Sequence, residues 1–223
     1  MSSHTFFVTG TDTGVGKTHV AAALLRAFAA RGLRAVGMKP VAAGAQPGQP
    51  NEDVLALRAA GNVDAALADI NPYCFLPPIA PHIAAGEAGV DIDFGTLAAA
   101  HARLAMRADV VVVEGAGGWR VPLGAEGDMA DLAARLGGAV ILVVGLRLGC
   151  LNHALLTAES VARRGLAWGG WVGNAIDPAM ACRDDNIAAL QTRLPGPRLG
   201  ILSYQPEGLA PMAAAQSLVL PDL

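Results

Sequence analysis

A lysine and a hydroxyl residue, Lys17 and Thr18, follow a glycine-rich turn that comes directly after the apolar run Phe6–Val8. An alanine- and leucine-rich helix is predicted from His19 to Ala30. In a strand, glycine turn, Lys-Thr and helix of this kind, backbone N–H groups and the helix dipole favour a bound anion. The pattern predicts a phosphate-binding loop at Gly14–Thr18, with the lysine on the β- and γ-phosphates and the threonine hydroxyl on Mg²⁺.

The loop deviates from the common pattern, because Thr11 stands where a glycine is usual and Gly10 lies one position earlier. An ordinary glycine-rich turn between a strand and a helix is the alternative. The flanking strand and helix favour the nucleotide interpretation.

A carboxylate is predicted at the same edge of the sheet. The run Val110–Val113 is unbroken and predicts a central parallel strand that is buried on both faces. It ends in Glu114 and the small residues Gly115, Ala116 and Gly117. A carboxylate at the end of such a strand holds the Mg²⁺ shell in phosphate-loop enzymes.

Other polar residues allow two interpretations each. Lys39 ends a predicted strand, Leu33–Met38, where open α/β sheets bind ligands, but it could equally be a solvent-exposed lysine. Asp53 lies in the first turn of a predicted helix, so it could cap that helix or reach a metal. Asn174 ends the predicted strand Trp168–Asn174, and its amide could read an adenine edge. The helix that begins after Gly149 offers a second anion site.

Strand and helix patterns alternate along the chain, which predicts an α/β fold with a mainly parallel sheet. Residues 42–51 are predicted as a flexible loop and residues 71–89 as a proline-rich irregular segment that leads into a short helix. With 223 residues, one domain spanning 1–223 is expected.

Composition narrows the class of protein. A net charge of -3 argues against a general nucleic-acid binder. Cys74, Cys150 and Cys182 are odd in number and widely spaced, which fits reduced thiols in a cytosol and no structural zinc. The chain has no run of 18 apolar residues and no evident signal peptide, so we expect a cytoplasmic protein without a membrane segment.

Several longer strings together are far more specific than the loop alone. They are Phe7-Val8-Thr9-Gly10-Thr11-Asp12-Thr13 with Val15-Gly16-Lys17-Thr18, Lys39-Pro40-Val41, Asn71-Pro72-Tyr73, Pro81-His82-Ile83, Val113-Glu114-Gly115-Ala116-Gly117-Gly118-Trp119, and Leu148-Gly149-Cys150-Leu151-Asn152-His153. Through them the chain resembles the ATP-dependent dethiobiotin synthetase family over nearly its whole length.

The resemblance implies a P-loop NTPase-like three-layer sandwich with a mainly parallel, seven-stranded sheet, and a homodimer with active sites at the interface. The implied reaction joins 7,8-diaminononanoate, CO₂ and MgATP into the cyclic urea of dethiobiotin, with ADP and phosphate as the other products. An amine takes up CO₂ as a carbamate, the carbamate attacks the γ-phosphate, and the second amine closes the ring.

The resemblance also implies roles for individual residues. The expected catalytic residues are Lys39, Lys17 and Thr13. ATP would be bound by Gly14, Val15, Gly16, Lys17, Thr18, His19, Asp53, Glu114, Gly115, Ala116, Gly117, Asn174, Ser203, Tyr204 and Gln205. Mg²⁺ would be held by Thr18, Asp53 and Glu114. The diamine would contact Lys39 and Ala43, and its carboxylate would be held by Gly149, Cys150, Leu151 and Asn152 of the partner subunit.

The chain departs from many relatives at four places. Ala43 replaces a serine, Gly14 replaces a glutamate, Asn186 lies near the position of a tyrosine, and the adenine loop lacks the usual Pro-Trp-Leu. These departures concern substrate affinity and nucleotide choice.

Two alternatives share the expected fold. Amide-forming synthetases of the cobyrinate type usually carry an additional glutamine-hydrolysing domain, for which 223 residues leave no room. Switch ATPases of the partitioning or metallochaperone type generally carry an extra lysine early in the loop, where this chain has Thr11 and Asp12.

Overall fold

The computed structural model describes residues 3–204 and 211–223. The strands of this part of the chain are β1 (His4–Gly10), β2 (Ala35–Met38), β3 (Val41–Ala43), β4 (Tyr73–Phe75), β5 (Val110–Glu114), β6 (Pro122–Gly124), β7 (Gly127–Asp128), β8 (Ala139–Leu146), β9 (Ala167–Ala175) and β10 (Arg198–Leu202). The helices are α1 (Lys17–Ala30), α2 (Glu52–Ala60), α3 (Leu67–Ile70), α4 (Pro81–Glu87), α5 (Phe94–Ala105), α6 (Met129–Leu136), α7 (Cys150–Arg163), α8 (Arg183–Arg193) and α9 (Pro211–Gln216).

The central sheet has the strand order β10-β9-β8-β1-β5-β2, and every neighbouring pair is parallel. The predicted α/β fold with a mainly parallel sheet is confirmed. The predicted strand number of seven is wrong, since the sheet has six strands within the described residues. The chain leaves the sheet after β2 at Pro40, which has no N–H to donate to a ladder.

Helices cover both faces of the sheet because side chains alternate along each strand. Phe6 and Val8 of β1 pack with Leu24 of α1 on the face that also carries α2 and α9. Phe7 packs with Leu97 of α5 on the opposite face. Helices α6, α7 and α8 also lie on that second face. Each large apolar side chain buried in this way contributes about 1.5–3 kcal/mol.

Strand register brings the polar ends of the central strands together. Val8 of β1 lies opposite Glu114, the last residue of β5. Met38, the last residue of β2, lies opposite Val113. Lys39 follows Met38 directly, so the register places it beside Glu114.

Two small sheets lie outside the main one. β3 pairs in parallel with β4, and β6 pairs with β7 in an antiparallel hairpin. The loop predicted for residues 42–51 is therefore wrong at its start, because Ala42 and Ala43 belong to β3. The irregular segment predicted for residues 71–89 likewise contains β4, although the short helix predicted there is confirmed as α4. These short strands satisfy the hydrogen-bonding groups of each other's backbone. They are too short to give a periodic hydrophobic pattern in the sequence.

Within the ranges given above, no helix combines the length and the apolar character that crossing a bilayer requires.

Candidate active site

The loop between β1 and α1 adopts backbone conformations that suit glycine. Gly14 and Gly16 have φ angles of 73° and 89°, which side-chain-bearing residues rarely adopt. At Gly10, an added Cβ would lie 2.6 Å from Cγ2 of Val15, so the turn also requires a close approach of the chain there. Close packing against Val15 therefore explains why a glycine stands at position 10 of this deviant loop.

The N-terminus of α1 is available to an anion. Gly16 is its N-cap residue and provides no side chain to cap the first turn. The first N–H groups of a helix have no partner within the helix, and they carry a positive partial charge. The start of α1 therefore has the free N–H groups that the predicted phosphate-binding loop requires.

Lys17 lies at the start of α1 with its side chain buried. Its Nζ donates a hydrogen bond to the carbonyl oxygen of Asp12 at 3.0 Å. Burial, together with the nearby positive charge of Lys39, lowers the pKa of Lys17 to about 8. An ammonium group that is poorly solvated in this way interacts favourably with a negatively charged ligand.

Lys39 makes two ion pairs at the end of β2. Its Nζ lies 2.5 Å from Glu114 Oε1 and 2.9 Å from Asp53 Oδ2. Burial alone would lower the pKa of Lys39, but the two carboxylates outweigh burial and raise it above the ordinary lysine value. The two interpretations of Lys39 are thereby resolved, because a side chain that is 5% exposed is not a solvent-exposed lysine.

Asp53 does not serve as the helix cap. The N-cap of α2 is Asn51, whose side chain accepts a hydrogen bond from the Asp53 amide at 3.0 Å. The Asp53 carboxylate instead pairs with Lys39 and accepts from the Thr18 hydroxyl at 2.8 Å. Burial would raise the pKa of Asp53, but Lys39 reverses this effect and lowers it.

Thr18, Asp53 and Glu114 form a set of oxygen ligands that fits Mg²⁺. The single hydroxyl of Thr18 lies 2.8 Å from an oxygen of each carboxylate. Glu114 Oε2 is buried and has no hydrogen-bond partner in the structure. Such an orphaned oxygen is costly unless something binds it, and Mg²⁺ prefers oxygen ligands. Among the described residues, no group of three or more His, Cys, Asp and Glu side chains forms a metal cluster.

These groups line one cavity of about 660 Å³. The predicted site residues on its wall are Thr13, Gly14, Gly16, Lys17, Thr18, Lys39, Ala43, Asp53, Glu114, Ala116 and Gly117. The sequence interpretation missed an apolar wall formed by residues 78–81 before and within α4, and by Val121. Those prolines were visible in the sequence, but nothing local indicated which cavity they face.

The predicted adenine contacts lie elsewhere on the same side of the fold. Nδ2 of Asn174 donates to the carbonyl oxygen of Val15 at 2.9 Å, so this amide touches the phosphate loop. Ser203 and Tyr204 are exposed after β10, and Gln205 lies outside the described residues.

The other predicted ATP-binding residues lie in or beside the phosphate loop. His19 is half-buried in the first turn of α1, and burial lowers its pKa. Val15 is buried, and Gly115 donates its amide to Val8 at 3.0 Å.

The segment Gly149–Asn152 forms the start of α7 and does not line this cavity. Gly149 is the N-cap, with a φ of 95° and no side chain to cap the first turn. Cys150 is buried, and its amide donates to the carbonyl of Arg147 at 3.1 Å. A single chain therefore does not bring the predicted second anion site to the wall of the cavity that contains Lys39.

Trp119 anchors the far end of the glycine-rich segment after Glu114. It is 4% exposed and packs edge-on against Phe7 with ring centroids 6.2 Å apart. Its Nε1 donates to Ser160 Oγ of α7 at 3.1 Å. A large aromatic residue directly after four small ones could have indicated this packing role. The sequence interpretation assigned no role to Trp119.

Comparisons with known proteins agree with this geometry. A family model described as an AAA domain matches residues 4–211. The ATP-dependent dethiobiotin synthetase BioD of Aromatoleum aromaticum is 54% identical over 219 residues, which is 97% of each chain. The ATP-dependent dethiobiotin synthetase BioD of Nitrosospira multiformis is 56% identical over 200 residues, covering 89% of this chain and 88% of its own.

Solved structures show the same fold at lower similarity. The septum site-determining protein MinD of Pyrococcus horikoshii, solved with Mg-ADP, has a TM-score of 0.57 and 20% identity to this chain. The match covers 99% of this chain and 87% of that one. At this identity, the likeness establishes only the fold.

Proposed function

The chain belongs to the ATP-dependent dethiobiotin synthetase family, and from this membership we propose that it makes dethiobiotin from 7,8-diaminononanoate, CO₂ and MgATP. The observation that carries the proposal is the cluster of the buried Lys39 and Glu114 with the partly exposed Asp53 and Thr18 beside the phosphate loop. Together with Lys17 at the start of α1, it brings two lysines and two carboxylates into one cavity.

The first step forms a carbamate. One amine of the substrate attacks CO₂, loses a proton and becomes an anion. Lys39 and Lys17 then stabilise the new negative charge, since both side chains are buried and reach the same cavity. Thr13, on the cavity wall, is proposed to orient the substrate amine.

The second step is phosphoryl transfer followed by ring closure. A carbamate oxygen attacks the γ-phosphorus, and the bond to ADP breaks. The second amine then attacks the carbonyl carbon of the mixed anhydride, loses a proton and expels phosphate. Catalysis rests on positioning and charge stabilisation, which Lys17 and the backbone of Gly14–Thr18 supply.

Mg²⁺ would be held by Thr18, Asp53 and Glu114, where it neutralises phosphate charge when bound. The orphaned Glu114 Oε2 supports this assignment. Lys39 compensates the negative charge of the same two carboxylates in the folded chain.

Nucleotide recognition is proposed to involve further parts of the chain. Asn174 would contact adenine through its amide, together with Ser203, Tyr204 and Gln205. The backbone of Val15, His19 and residues 115–117 would complete the ATP site. The proximity of Asn174 to the loop, at 2.9 Å from the Val15 carbonyl, supports this arrangement.

We propose a homodimer in which Gly149–Asn152 of one subunit binds the substrate carboxylate of the other. Support comes from the start of α7, which has no side-chain cap and does not line the chain's own cavity. Leu148, beside this segment, is 95% exposed, and Leu156 on the same helix is 56% exposed. A second copy would bury these apolar side chains.

Residues 1–223 are proposed to act as one domain of a cytoplasmic enzyme that binds neither nucleic acid nor membrane.

The departures from relatives are proposed to tune affinity rather than chemistry. Ala43 lies on the cavity wall and offers no hydroxyl to the diamine. Gly14 leaves open space at the loop, since an added Cβ would meet nothing within 4 Å. The side-chain Nδ2 of Asn186 donates to the carbonyl oxygen of Cys182, the N-cap of α8, at 2.9 Å.

The experiment is to measure ADP release with Mg²⁺, ATP and bicarbonate, with and without 7,8-diaminononanoate. Release that depends on the diamine is the expected result. Hydrolysis without the diamine, or no turnover at all, would contradict the proposal and favour a switch ATPase.

A further inference from the structure

Asp12 lies early in the phosphate-binding loop, and the reaction proposed above gives its side chain no role. Its carboxylate Oδ1 accepts a hydrogen bond from the Thr13 amide at 2.7 Å. Its carbonyl oxygen accepts the hydrogen bond from Lys17 Nζ at 3.0 Å. Asp12 therefore contacts both loop residues that are proposed to act next to the reacting groups.

The other carboxylate oxygen of Asp12 is held by a different element. Arg147, which follows the end of β8, donates from Nη2 to Asp12 Oδ2 at 2.5 Å. The backbone that carries Arg147 is fixed, because its carbonyl accepts the amide of Cys150 at 3.1 Å. The guanidinium thus reaches the loop from an ordered turn at the start of α7.

This ion pair continues an attachment that the backbone begins. The Thr11 amide donates to the Val143 carbonyl at 3.0 Å, and the Gly145 amide donates to Thr11 Oγ1 at 3.2 Å. The first residue of the turn is therefore bound to the end of β8. Arg147 extends this attachment to Asp12, the residue whose polar groups contact Thr13 and Lys17.

Charge gives Arg147 a second effect. The phosphates and the carbamate that are proposed to bind in the cavity are all negative, and an unpaired Asp12 carboxylate would repel them. Arg147 compensates that charge. The side chains are 44% and 47% exposed, so the pair contributes little to folding stability. Its effect should therefore appear in ligand binding and turnover.

We propose that Arg147 is a positioning residue of the active site. It holds Asp12 so that Thr13 and Lys17 keep their places, and it cancels a negative charge beside the phosphates. The inference rests on the proposed function for its effect on turnover. Its effect on nucleotide binding can be measured separately.

The test compares Arg147→Gln, Arg147→Lys and the double variant Asp12→Asn/Arg147→Gln with the unchanged protein. Arg163→Gln on α7 is the matched control, because Arg163 is exposed and its ion pair with Glu159, at 3.8 Å, lies far along the helix. Calorimetry measures MgADP affinity, steady-state kinetics measures kcat and KM, and thermal unfolding measures Tm.

Arg147→Gln is expected to weaken MgADP binding about 10-fold and to lower kcat, while Tm stays within about 2 °C. Arg147→Lys should recover most of the MgADP affinity because it keeps the charge. The double variant should bind MgADP better than Arg147→Gln alone, since no unpaired carboxylate remains.

Two results would overturn the inference. One is an Arg147→Gln variant that matches Arg163→Gln in MgADP affinity and kcat. The other is a loss that follows Tm, which indicates a merely structural role. If the unchanged protein shows no turnover that depends on the diamine, the proposed reaction fails, yet a loss of MgADP affinity in Arg147→Gln would still support the positioning role.

Discussion

The two lysines of the site differ in how they are held. Lys17 donates to one carbonyl oxygen and has a lowered pKa, so a bound phosphate offers it a better partner. Lys39 is enclosed by two carboxylates and has a raised pKa. At the scale of single residues, Lys17 is therefore suited to exchange its carbonyl partner for a bound phosphate. Lys39, in contrast, also balances the charge of two carboxylates in the folded chain.

Lys17→Ala should lower kcat by roughly 10²- to 10³-fold, because it removes a buried positive charge from the transition state. ADP release under saturating substrates measures this effect, with circular dichroism as the check on folding. Turnover close to that of the unchanged protein would rule out Lys17 as the phosphate-loop lysine.

Lys39→Met should destabilise the protein by about 3–5 kcal/mol, because it leaves Glu114 buried without its counter-ion. The double variant Lys39→Met/Glu114→Gln should regain part of this loss, since neither charge then remains. Urea unfolding of both variants measures the difference. Equal destabilisation in the two variants would show that the ion pair with Glu114 is not responsible.

At the scale of elements, each helix places a different part of the site. The start of α1 presents its free N–H groups, and Asn51 caps α2 so that the Asp53 carboxylate can face Lys39. Helix α5 contributes stability rather than chemistry, through His101, whose Nε2 lies 3.0 Å from Thr5 Oγ1 of β1.

The contact between α5 and β1 should make stability depend on pH. Burial lowers the pKa of His101 below the ordinary value of about 6.5, so protonation is less favourable in the folded state. The stability linked to this group is fully present above about pH 6.5 and is lost as the pH falls through the folded-state pKa.

The measurement is the free energy of unfolding between about pH 5 and pH 7 for the unchanged protein and for His101→Gln. The free energy should fall less steeply with decreasing pH in the variant. Identical slopes of the unfolding free energy against pH in the two proteins would show that His101 does not cause the pH dependence. Burial also lowers the pKa of His19, so a smaller slope should persist in His101→Gln.

At the scale of the whole molecule, the parallel sheet explains why so much of the site could be predicted. Strand ends meet at one edge of a parallel sheet, so the valine run before Glu114 and the strand before Lys39 indicated a shared site. The Gly-Lys-Thr turn predicted a phosphate-binding loop at the same edge. These signals are local and carry a physical reason for their position.

The remaining features depend on contacts between distant parts of the chain. Asp12 and Arg147 are both partly exposed, so no periodicity marks their ion pair. Whether Asp53 was free to take its proposed metal role depended on whether Asn51 would cap the helix, a choice that the sequence left open. The seventh strand came from the family resemblance, and the main sheet has six strands within the described residues.

The proposed dimer leads to a prediction about Leu148. Leu148→Glu should give monomers that bind MgADP but lose turnover with the diamine, because a charge replaces an apolar side chain at the interface. Met106→Glu is the matched control, since Met106 is 77% exposed and lies at the end of α5. Analytical ultracentrifugation and ADP release measure the two effects, and a monomeric variant with full activity would contradict the interface.

The most direct test of the central claim is mass spectrometry of the product formed from ¹³C-labelled bicarbonate, ATP, Mg²⁺ and 7,8-diaminononanoate. The account predicts a cyclic urea that carries one labelled carbon, formed in equal amount to ADP. ADP formation without a labelled cyclic product would contradict the claim that this cavity joins CO₂ to the diamine.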